Sequence, residues 1–195
     1  MRKRILIIQG HPSPGGGHLA QAIAQAYAAG AEAGGHEVRH AVVAKLGFPL
    51  LRTKEDWEHG APRPEIEPVR EDVAWAEHIM IVFPLWLGGM PALLKGFFEQ
   101  LFRPGLAGTR IEDYTPLSRP LAGRSARIVV TMGMPAAIYR WYFRAHGLKL
   151  LKRNILGFVG LRPIRATVIG SVESMGERRR AAWLRRLQAL GRRAR

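Results

Sequence analysis

The stretch that decides the fold runs from His78 to Phe102 and reads HIMIVFPLWLGGMPALLKGFFEQLF. Residues 79–83 form an uninterrupted apolar run of strand length, which is typical of a strand covered by helices on both faces of a parallel sheet. Pro84 cannot donate a ladder hydrogen bond and is expected to end the strand. Residues 92–102 place large apolar side chains at helical spacing, with Pro91 in the first turn. The stretch therefore predicts a buried strand, a loop and a helix.

The loop inside this stretch, residues 85–90, combines two glycines with Leu85, Trp86 and Leu87. Ligands of doubly wound sheets bind at the carboxyl ends of the strands, where this loop is expected to lie. A tryptophan beside bare glycine backbone suits a flat, aromatic, partly polar ligand. The alternative is an ordinary strand-to-helix connection in which the apolar side chains only pack.

Composition narrows the class of protein. A chain of 195 residues predicts one domain that can bury a real core. The absence of cysteine excludes disulfides, thiolate metal sites and cysteine nucleophiles, and it fits a reducing, cytoplasmic location. The apolar run near the N-terminus is too short for a signal peptide. No stretch approaches about 18 consecutive apolar residues, so we expect no membrane-spanning helix.

The formal net charge of +15 is the most unusual global feature. Such a charge attracts polyanions, which include nucleic acid, anionic lipid and phosphorylated ligands. The sequence contains no helix-turn-helix or RNP-like pattern that would read a nucleic acid, so nucleic-acid binding is not expected. The alternative explanation is an arginine-rich, solvated surface.

Strand and helix patterns alternate along the chain. This alternation predicts a single α/β domain with a parallel sheet of five strands and helices on both faces. We expect Ser174 to cap the last helix together with Glu177. The predicted strands are 4–9, 36–43, 79–83, 127–131 and 165–169, the predicted helices are 18–30, 65–77, 92–102, 136–154 and 174–191, and the long loops are 44–64 and 104–123.

Three of the predicted strands end in loops of small residues, 10–17, 84–90 and 132–135. In such a sheet these ends share one edge, so the loops are expected to converge. The first loop precedes a helix N-terminus, where free N–H groups and the helix dipole favour a phosphate, and His11, Ser13 and His18 add further donors. It matches neither a Walker A loop nor a Rossmann fingerprint. The alternative for the histidines is a capping or surface role.

The third loop, residues 131–134, offers backbone N–H groups to an acceptor-rich ring. Tyr139 and His146 follow on the next predicted helix and are candidates for catalysis; the alternatives are core packing for Tyr139 and a surface position for His146. The sequence contains no Gly-x-Ser-x-Gly elbow and no His-Glu-x-x-His motif, and its histidines lack metal-ligand spacing. We therefore expect a bound cofactor, without a metal, to carry the chemistry.

Four motifs fall at the loops just described: Gly10-His11-Pro12, Phe83-Pro84-Leu85-Trp86, the run MPALLKG at residues 90–96, and Thr131-Met132-Gly133. Together they resemble the flavodoxin-like NAD(P)H:quinone oxidoreductase family. That family includes quinone reductases, modulator-of-drug-activity-type reductases and the ancillary oxidoreductases of potassium-efflux systems. The resemblance extends from residue 4 to about residue 171. It implies a three-layer sandwich with strand order 2-1-3-4-5.

The resemblance also implies a homodimeric flavoprotein with the flavin at the subunit interface. FMN is favoured over FAD, because the chain is short and lacks the C-terminal extension of the larger FAD-binding members. NADPH or NADH would give a hydride to the flavin and leave, and a quinone or a similar acceptor would then take two electrons in the same pocket. A second interpretation as an enzyme is a nitro- or azoreductase with the same cofactor.

The family's site residues carry over to positions in all three loops, with two departures. Gly15 to His18 replace the Ser or Thr and Asn common in the family, and Leu87 replaces the second tryptophan of its frequent Trp-Trp pair. Tyr139 and His146 resemble the pair that stabilises reduced flavin, although His146 lies one residue further along the chain. The implied flavin-binding residues are His11, Ser13, Gly17, His18, Leu19, Pro84, Leu85, Trp86, Leu87, Thr131, Met132, Gly133 and Met134.

The last predicted helix supports an interpretation from another class. Residues 177–195 carry eight arginines together with Trp183, Leu184, Leu187 and Leu190. Such a helix is able to meet an acidic partner or an anionic membrane, as in a regulatory subunit that docks on a membrane transporter. The alternative is a solvated outer helix with an apolar inner stripe.

Overall fold

The computed structural model of the chain describes residues 1–60, 63–104 and 119–195, so most of the long loop predicted at 104–123 lies outside the described residues. The described part alternates strands and helices in the predicted order. The strands are β1 (Arg4–Gln9), β2 (Glu37–Val42), β3 (His78–Pro84), β4 (Ser125–Thr131) and β5 (Ile164–Ile169), and the α-helices are α1 (Leu19–Ala33), α2 (Lys54–Glu58), α3 (Glu67–Trp75), α4 (Ala92–Leu101), α5 (Ala136–Trp141), α6 (His146–Lys149) and α7 (Glu177–Arg192).

The five strands form one parallel sheet in the order β2-β1-β3-β4-β5. Helices α1 and α7 pack on one face, and α3, α4 and α5 pack on the other. The predicted three-layer α/β sandwich and its strand order are therefore confirmed. Because the strands are parallel, the loops that follow β1, β3 and β4 emerge along one edge.

Burial on both faces explains the apolar runs seen in the sequence. In β3, Ile79, Ile81 and Phe83 belong to the core beneath α3, α4 and α5, whereas Met80 and Val82 belong to the core beneath α1 and α7. Successive strand side chains point to opposite faces, so a strand with two covered faces has no polar position to alternate with. The central strand of the predicted stretch is thus the middle of the sheet.

Helix α1 continues beyond Gly30, where the sequence predicted its end. A Cβ at Gly30 would overlap the carbonyl oxygen of Gln188 in α7, and one at Gly191 would lie 3.0 Å from the Tyr27 carbonyl carbon. These glycines let the backbones of α1 and α7 approach closely. Gly30 therefore serves helix packing rather than helix termination, which the pattern of one helix alone does not reveal.

The predicted helix 136–154 is broken. Helix α5 ends at Trp141, and Arg144 (φ 51°) and Ala145 (φ 49°) take left-handed conformations before α6 begins. The break is held in place because the Ala145 N–H donates to the Tyr139 carbonyl, 3.0 Å away. A π-helical segment, Leu150–Leu156, follows α6. The sequence prediction of one continuous helix was wrong at this point.

Smaller differences concern caps and loops. Helix α7 begins at Glu177 with Gly176 as its N-cap, and the Ser174 hydroxyl donates instead to the Ser171 carbonyl, so the predicted cap was wrong. A 3-10 turn, Val43–Lys45, begins at the last residue of the predicted strand 36–43, and the loop predicted at 44–64 contains the short helix α2, which Thr53 caps. Within the described ranges, no helix combines the length and apolarity needed to cross a bilayer.

Candidate functional site

Backbone hydrogen bonds beyond the strands hold the three loops side by side. The Gly10 N–H donates to the Val82 carbonyl at 2.8 Å, and the Leu85 N–H donates to the Thr131 carbonyl at 2.7 Å. The first bond ties the β1 loop to β3, and the second ties the β3 loop to β4. These two bonds hold the three loops next to one another at one edge of the sheet, as predicted.

In the first loop, His11 is oriented by the backbone. The Ser13 N–H donates to His11 Nδ1 at 3.1 Å, which leaves the other ring nitrogen, Nε2, as the N–H donor of a neutral imidazole. His11 stacks on His18 with ring centroids 3.8 Å apart, and the Trp86 ring meets His11 edge-on with its centroid 6.4 Å from that of His11. Burial lowers the pKa of His11, and the neighbouring His18 lowers it further. His11 is thus a neutral hydrogen-bond donor in the first loop.

The rest of the first loop leads into the N-terminus of α1. Gln21 Nε2 donates to the Gly15 carbonyl at 2.6 Å, and Gln21 Oε1 accepts from the His18 N–H at 3.4 Å, so the glycine run is tied back to the helix. A cavity of about 250 Å³ opens here, and Arg180 from α7 lines it beside Gly17 and His18. Free N–H groups and a guanidinium around one cavity form a donor set suited to a phosphate.

The second loop makes a tight turn that carries two residues in left-handed conformations. Trp86 and Gly89 exchange both backbone hydrogen bonds, at 3.0 and 2.9 Å, around Leu87 (φ 44°) and Gly88 (φ 80°). A left-handed conformation is uncommon for leucine, and such strain concentrates at ligand sites. The turn leaves the Trp86 side chain 52% exposed and the Leu87 side chain fully exposed. Trp86 and Leu87 therefore present exposed apolar surface beside the first loop.

The third loop is fixed from the side of β5. The Ser171 N–H donates to the Met134 carbonyl and the Val172 N–H to the Met132 carbonyl, both at 3.1 Å. A Cβ at Gly133 would lie 3.0 Å from a carboxylate oxygen of Glu173, so this side chain rests close over the glycine. Thr131 and Met132 are buried, whereas Gly133 is exposed.

The two predicted catalytic residues occupy different environments. The Tyr139 side chain is 1% exposed, and its hydroxyl accepts a 3.0 Å hydrogen bond from the Leu148 N–H. Burial raises the pKa of Tyr139, against the opposing effect of the Leu148 hydrogen bond. His146 is exposed at the start of α6. The geometry gives Tyr139 a structural role in the connection from α5 to α6, and the catalytic roles of both residues stay predictions.

Two contributors to the site were missed in the sequence. Gly147 packs directly on the Gly88 carbonyl, which couples the β3 loop to α6. Arg180 reaches the first loop from a helix more than 160 residues away along the chain. The only sequence signals are a glycine inside a helical pattern and one arginine among several in α7, and neither points to the site. Among the described residues, no three His, Asp or Glu side chains form a group able to hold a metal ion.

Parts of the chain are similar in sequence to named proteins. NAD(P)H dehydrogenase [quinone] 1 of Rattus norvegicus is 26% identical over 121 residues, which span 60% of this chain and 43% of that protein. The uncharacterized NAD(P)H oxidoreductase YcaK of Escherichia coli (strain K12) is 31% identical over 68 residues, which span 32% of this chain and 35% of that protein. The matched regions thus cover less than half the length of each of these relatives.

Solved structures agree over nearly the whole chain. Smu.1420 from Streptococcus mutans UA159 superposes with a TM-score of 0.78 at 26% identity, covering 97% of this chain and 98% of that one. The NAD(P)H:quinone oxidoreductase from Methanothermobacter marburgensis superposes with a TM-score of 0.77 at 22% identity, covering 98% and 96% of the two chains. An FMN-dependent NADH-azoreductase from Bacillus anthracis, in complex with FMN, has a TM-score of 0.71 at 15% identity, with 99% of both chains covered.

A model of one protein family matches residues 3–191, which is almost the full length of the chain. The match includes all five strands and the three loops that meet at the candidate site. The chain belongs to this family, Flavodoxin_2, which is described by its flavodoxin-like fold.

Proposed function

We propose that this protein is a flavin-dependent NAD(P)H oxidoreductase that delivers two electrons to quinones or related acceptors. The observation that carries the proposal is the convergence of three loops with different chemistry. A phosphate-type donor set surrounds the N-terminus of α1, an exposed tryptophan stands beside it, and the backbone of the third loop completes the edge. A planar ring with a phosphate tail matches all three parts. The names of the quinone oxidoreductase relatives support the same reaction class.

The cofactor that we propose is FMN, with FAD as the alternative. His11 Nε2, the N–H groups at the start of α1 and Arg180 would hold the phosphate, since each is a donor and the arginine carries full charge. Pro84, Leu85, Trp86 and Leu87 would line the ring, and the Gly133 and Met134 backbone would meet its polar edge. The donor set therefore fits the cofactor at both ends.

A bound flavin supplies the two-electron redox chemistry, and the protein positions it. The second loop orients the ring because its turn is fixed by paired backbone bonds and by Gly147. N–H groups of the third loop would stabilise negative charge that develops on the polar edge of the ring. Apolar Trp86 and Leu87 would exclude water from one side of it. These roles leave the opposite side open for NADPH or NADH and then for the acceptor.

The partners are proposed from the resemblance. We propose a homodimer with the flavin at its interface, a cytoplasmic location and a quinone-like acceptor. Nitro- or azoreduction would use the same cofactor and residues, so only the acceptor separates these activities. Docking on a membrane transporter remains the alternative from another class.

The decisive test is the visible spectrum of the purified protein, followed by heat release and chromatography of the flavin. We expect a yellow protein that releases FMN and oxidises NAD(P)H when a quinone is present. Parallel assays with an azo dye and a nitroaromatic compound would identify the preferred acceptor. A preparation that lacks flavin absorbance and fails to bind added FMN or FAD would overturn the proposal.

Replacing Trp86 by alanine should weaken flavin binding by about two- to tenfold, because a stacked or edge-on aromatic contact contributes roughly 0.5–1.5 kcal/mol. The measurement is a fluorescence titration of the apoprotein with FMN. Leu50→Ala is a suitable control, since Leu50 is 59% exposed and lines a separate cavity together with Asp56 and Arg103. If Trp86→Ala leaves affinity and turnover unchanged, Trp86 does not belong to the site.

Arg180→Gln should also weaken FMN binding by roughly ten- to a hundredfold, because a charge-assisted hydrogen bond contributes about 1.5–3 kcal/mol. The effect should vanish for riboflavin, which has the ring but no phosphate. Arg179→Gln removes the same charge from the neighbouring position on α7 and does not line the cavity, so it should leave FMN affinity unchanged. Equal losses for FMN and riboflavin would contradict a phosphate contact by Arg180.

A further inference from the structure

Helix α7 carries its positive charge in a regular pattern. Pairs of arginines recur every seven residues from its first turn to its C-cap, and each of these arginines is exposed. Seven residues are close to two turns of an α-helix, so the pairs lie on one face, about 10.5 Å apart along the axis. Glu177, at the first position, is the only acidic residue of the helix. We name as the arginine ladder the residues Arg178, Arg179, Arg185, Arg186, Arg192 and Arg193.

The packing of α7 on α1 fixes the direction of the ladder. A Cβ at Gly30 of α1 would overlap the Gln188 carbonyl oxygen, so the two backbones touch there. A Cβ at Gly34, just past the end of α1, would overlap the Arg192 carbonyl oxygen in the same way. Leu187 is buried beneath α7, and further apolar side chains of the helix pack on the same core, namely Trp183, Leu184 and Leu190. Helix α7 therefore cannot rotate to hide its charge, and the ladder faces solvent.

The ladder has no counter-charge in the part of the chain that the structure describes. None of its arginines takes part in an ion pair there. The neighbouring edge strand adds positive charge, because the pKa of the buried Arg127 is lowered mainly by burial and further by Arg165 of β5 and Arg186 of the ladder. The ladder contains no lysine, and arginine is the cation that is more weakly hydrated and better suited to interface ion pairs. This surface therefore suits an anionic partner.

A second copy of this chain is not expected to cover the ladder. Homodimer interfaces bury apolar surface. Among the described residues, no exposed large apolar side chain belongs to α1 or α7. The loop after β3 and the end of α5 hold several beside the candidate site, including Trp86, Leu87, Trp141 and Tyr142. The proposed dimer, with the flavin at its interface, would therefore use that surface and leave the outer face of α7 free.

We propose that the arginine ladder docks an acidic α-helix of a partner protein. A helix with carboxylates every seven residues has the same repeat as the ladder, so all three arginine pairs meet carboxylates at once. The planar guanidinium fork binds a carboxylate through two parallel hydrogen bonds, which fixes orientation as well as attracting charge. Opposite charges on the two helices would also speed their association. The docking depends neither on the proposed flavin chemistry nor on a partner that lies in a membrane.

Two other polyanions match the ladder less completely. A helix that binds a bilayer turns apolar side chains towards the lipid. In α7 the exposed positions between the arginine pairs include Ala182 and Ala189, and the leucines face the core. A single-stranded nucleic acid stacks its bases on exposed aromatic rings. The only aromatic ring of α7, that of Trp183, packs against the core. An acidic helix requires neither feature, since it needs only cations at a fixed spacing.

The test is fluorescence anisotropy of the full chain with two labelled helical peptides of identical composition. One carries pairs of glutamates every seven residues, and the other distributes the same glutamates around all faces. We expect the first to bind roughly tenfold more tightly and to weaken as salt is raised. Arg185→Glu with Arg186→Glu should weaken its binding about tenfold or more, because attraction becomes repulsion. Lys152→Glu with Arg153→Glu makes the same charge change on the other side of the sheet and should cost much less.

Four results would overturn the proposal. The first is equal affinity for the two peptides, and the second is an equal loss in the two charge-reversal variants. The third is a wild-type dimer that the Arg185/Arg186 variant dissociates in light scattering, which would assign the ladder to a second copy. The fourth is tighter binding to anionic vesicles or to single-stranded RNA than to the peptide, lost in the same variant.

Circular dichroism checks the folding of the variants and the helicity of both peptides. Flavin content is measured on the same preparations, and we expect it to be unchanged in both variants because neither changes a residue that lines the candidate site. A wild-type protein that binds the peptide but no flavin would contradict the proposed function and leave the docking standing.

Discussion

Gly147→Ala is expected to lower the free energy of unfolding by roughly 2–3 kcal/mol and to weaken flavin binding at the same time. A Cβ at this position would overlap the Gly88 carbonyl oxygen and would lie 2.8 Å from the Gly89 Cα. Both neighbours are backbone atoms, so no rotamer change relieves the contact. The second loop has to move away from α6, and Trp86 moves with it.

The measurements are chemical denaturation and an FMN titration of the same preparations. Gly47→Ala is the matched control, because no atom lies within 4 Å of a Cβ there and its φ is not positive. It should change stability by less than about 1 kcal/mol. A Gly147→Ala protein as stable as the control, with unchanged FMN affinity, would show that the loop and α6 are not mechanically coupled.

The stretch from His78 to Phe102 predicted the centre of the fold because its signals are local. Two buried faces give a continuous apolar run, proline ends it, and the next apolar residues recur at helical spacing. Parallel pairing then follows from the alternation of strands and helices. The convergence of the three loops could be predicted for the same reason, since the carboxyl ends of parallel strands share an edge.

What the sequence could not predict depends on contacts between distant segments. The helix predicted at 136–154 breaks because Tyr139 and Ala145 form bonds that helix propensity does not describe. Gly30 looks like a helix end, yet α7 requires it inside α1. Arg180 joins the phosphate side of the site only because α7 packs beside α1. Each case depends on a contact with a segment that is distant in the sequence but adjacent in the fold. No single segment carries that information.

The opposite edge of the sheet carries a buried histidine. His78 is 1% exposed, with Nε2 placed 2.9 Å from the Tyr27 hydroxyl and Nδ1 placed 2.7 Å from the Ser125 hydroxyl. The Tyr27 hydroxyl also donates to the Arg195 carbonyl at 3.3 Å. Since that hydroxyl has one proton, His78 Nε2 donates to Tyr27, and Nδ1 accepts from Ser125. The neutral imidazole therefore has a partner at both nitrogens.

This environment opposes protonation of His78. Burial lowers its pKa from 6.5 to about 3, and the positive charges of Lys3, Arg127 and Arg165 act in the same direction. The folded state thus holds His78 neutral in a pH range where an unfolded chain would protonate it.

We expect acid to destabilise the protein through this residue. The folded pKa lies below the unfolded value, so the stabilisation is fully present above about pH 6.5 and is lost as the pH falls towards 3. The loss amounts to about 1.4 kcal/mol per pH unit, or roughly 4–5 kcal/mol over the whole range. That is a large fraction of the stability of an ordinary domain. Denaturant unfolding at several pH values between 7 and 4.5 measures the first part of the loss.

A His78→Gln variant isolates this contribution, because glutamine has hydrogen-bonding groups but cannot take up a proton. Its stability at pH 7 should be lower than that of the wild type, and the difference should shrink by about 3 kcal/mol by pH 4.5, since only the wild type loses the His78 term. Burial also lowers the pKa of His11 and His40, but both proteins share those contributions. Parallel curves for His78→Gln would instead mean that His78 takes up its proton at the same pH in the folded protein as in the unfolded chain, and the neutral Tyr27–His78–Ser125 chain would have to be abandoned.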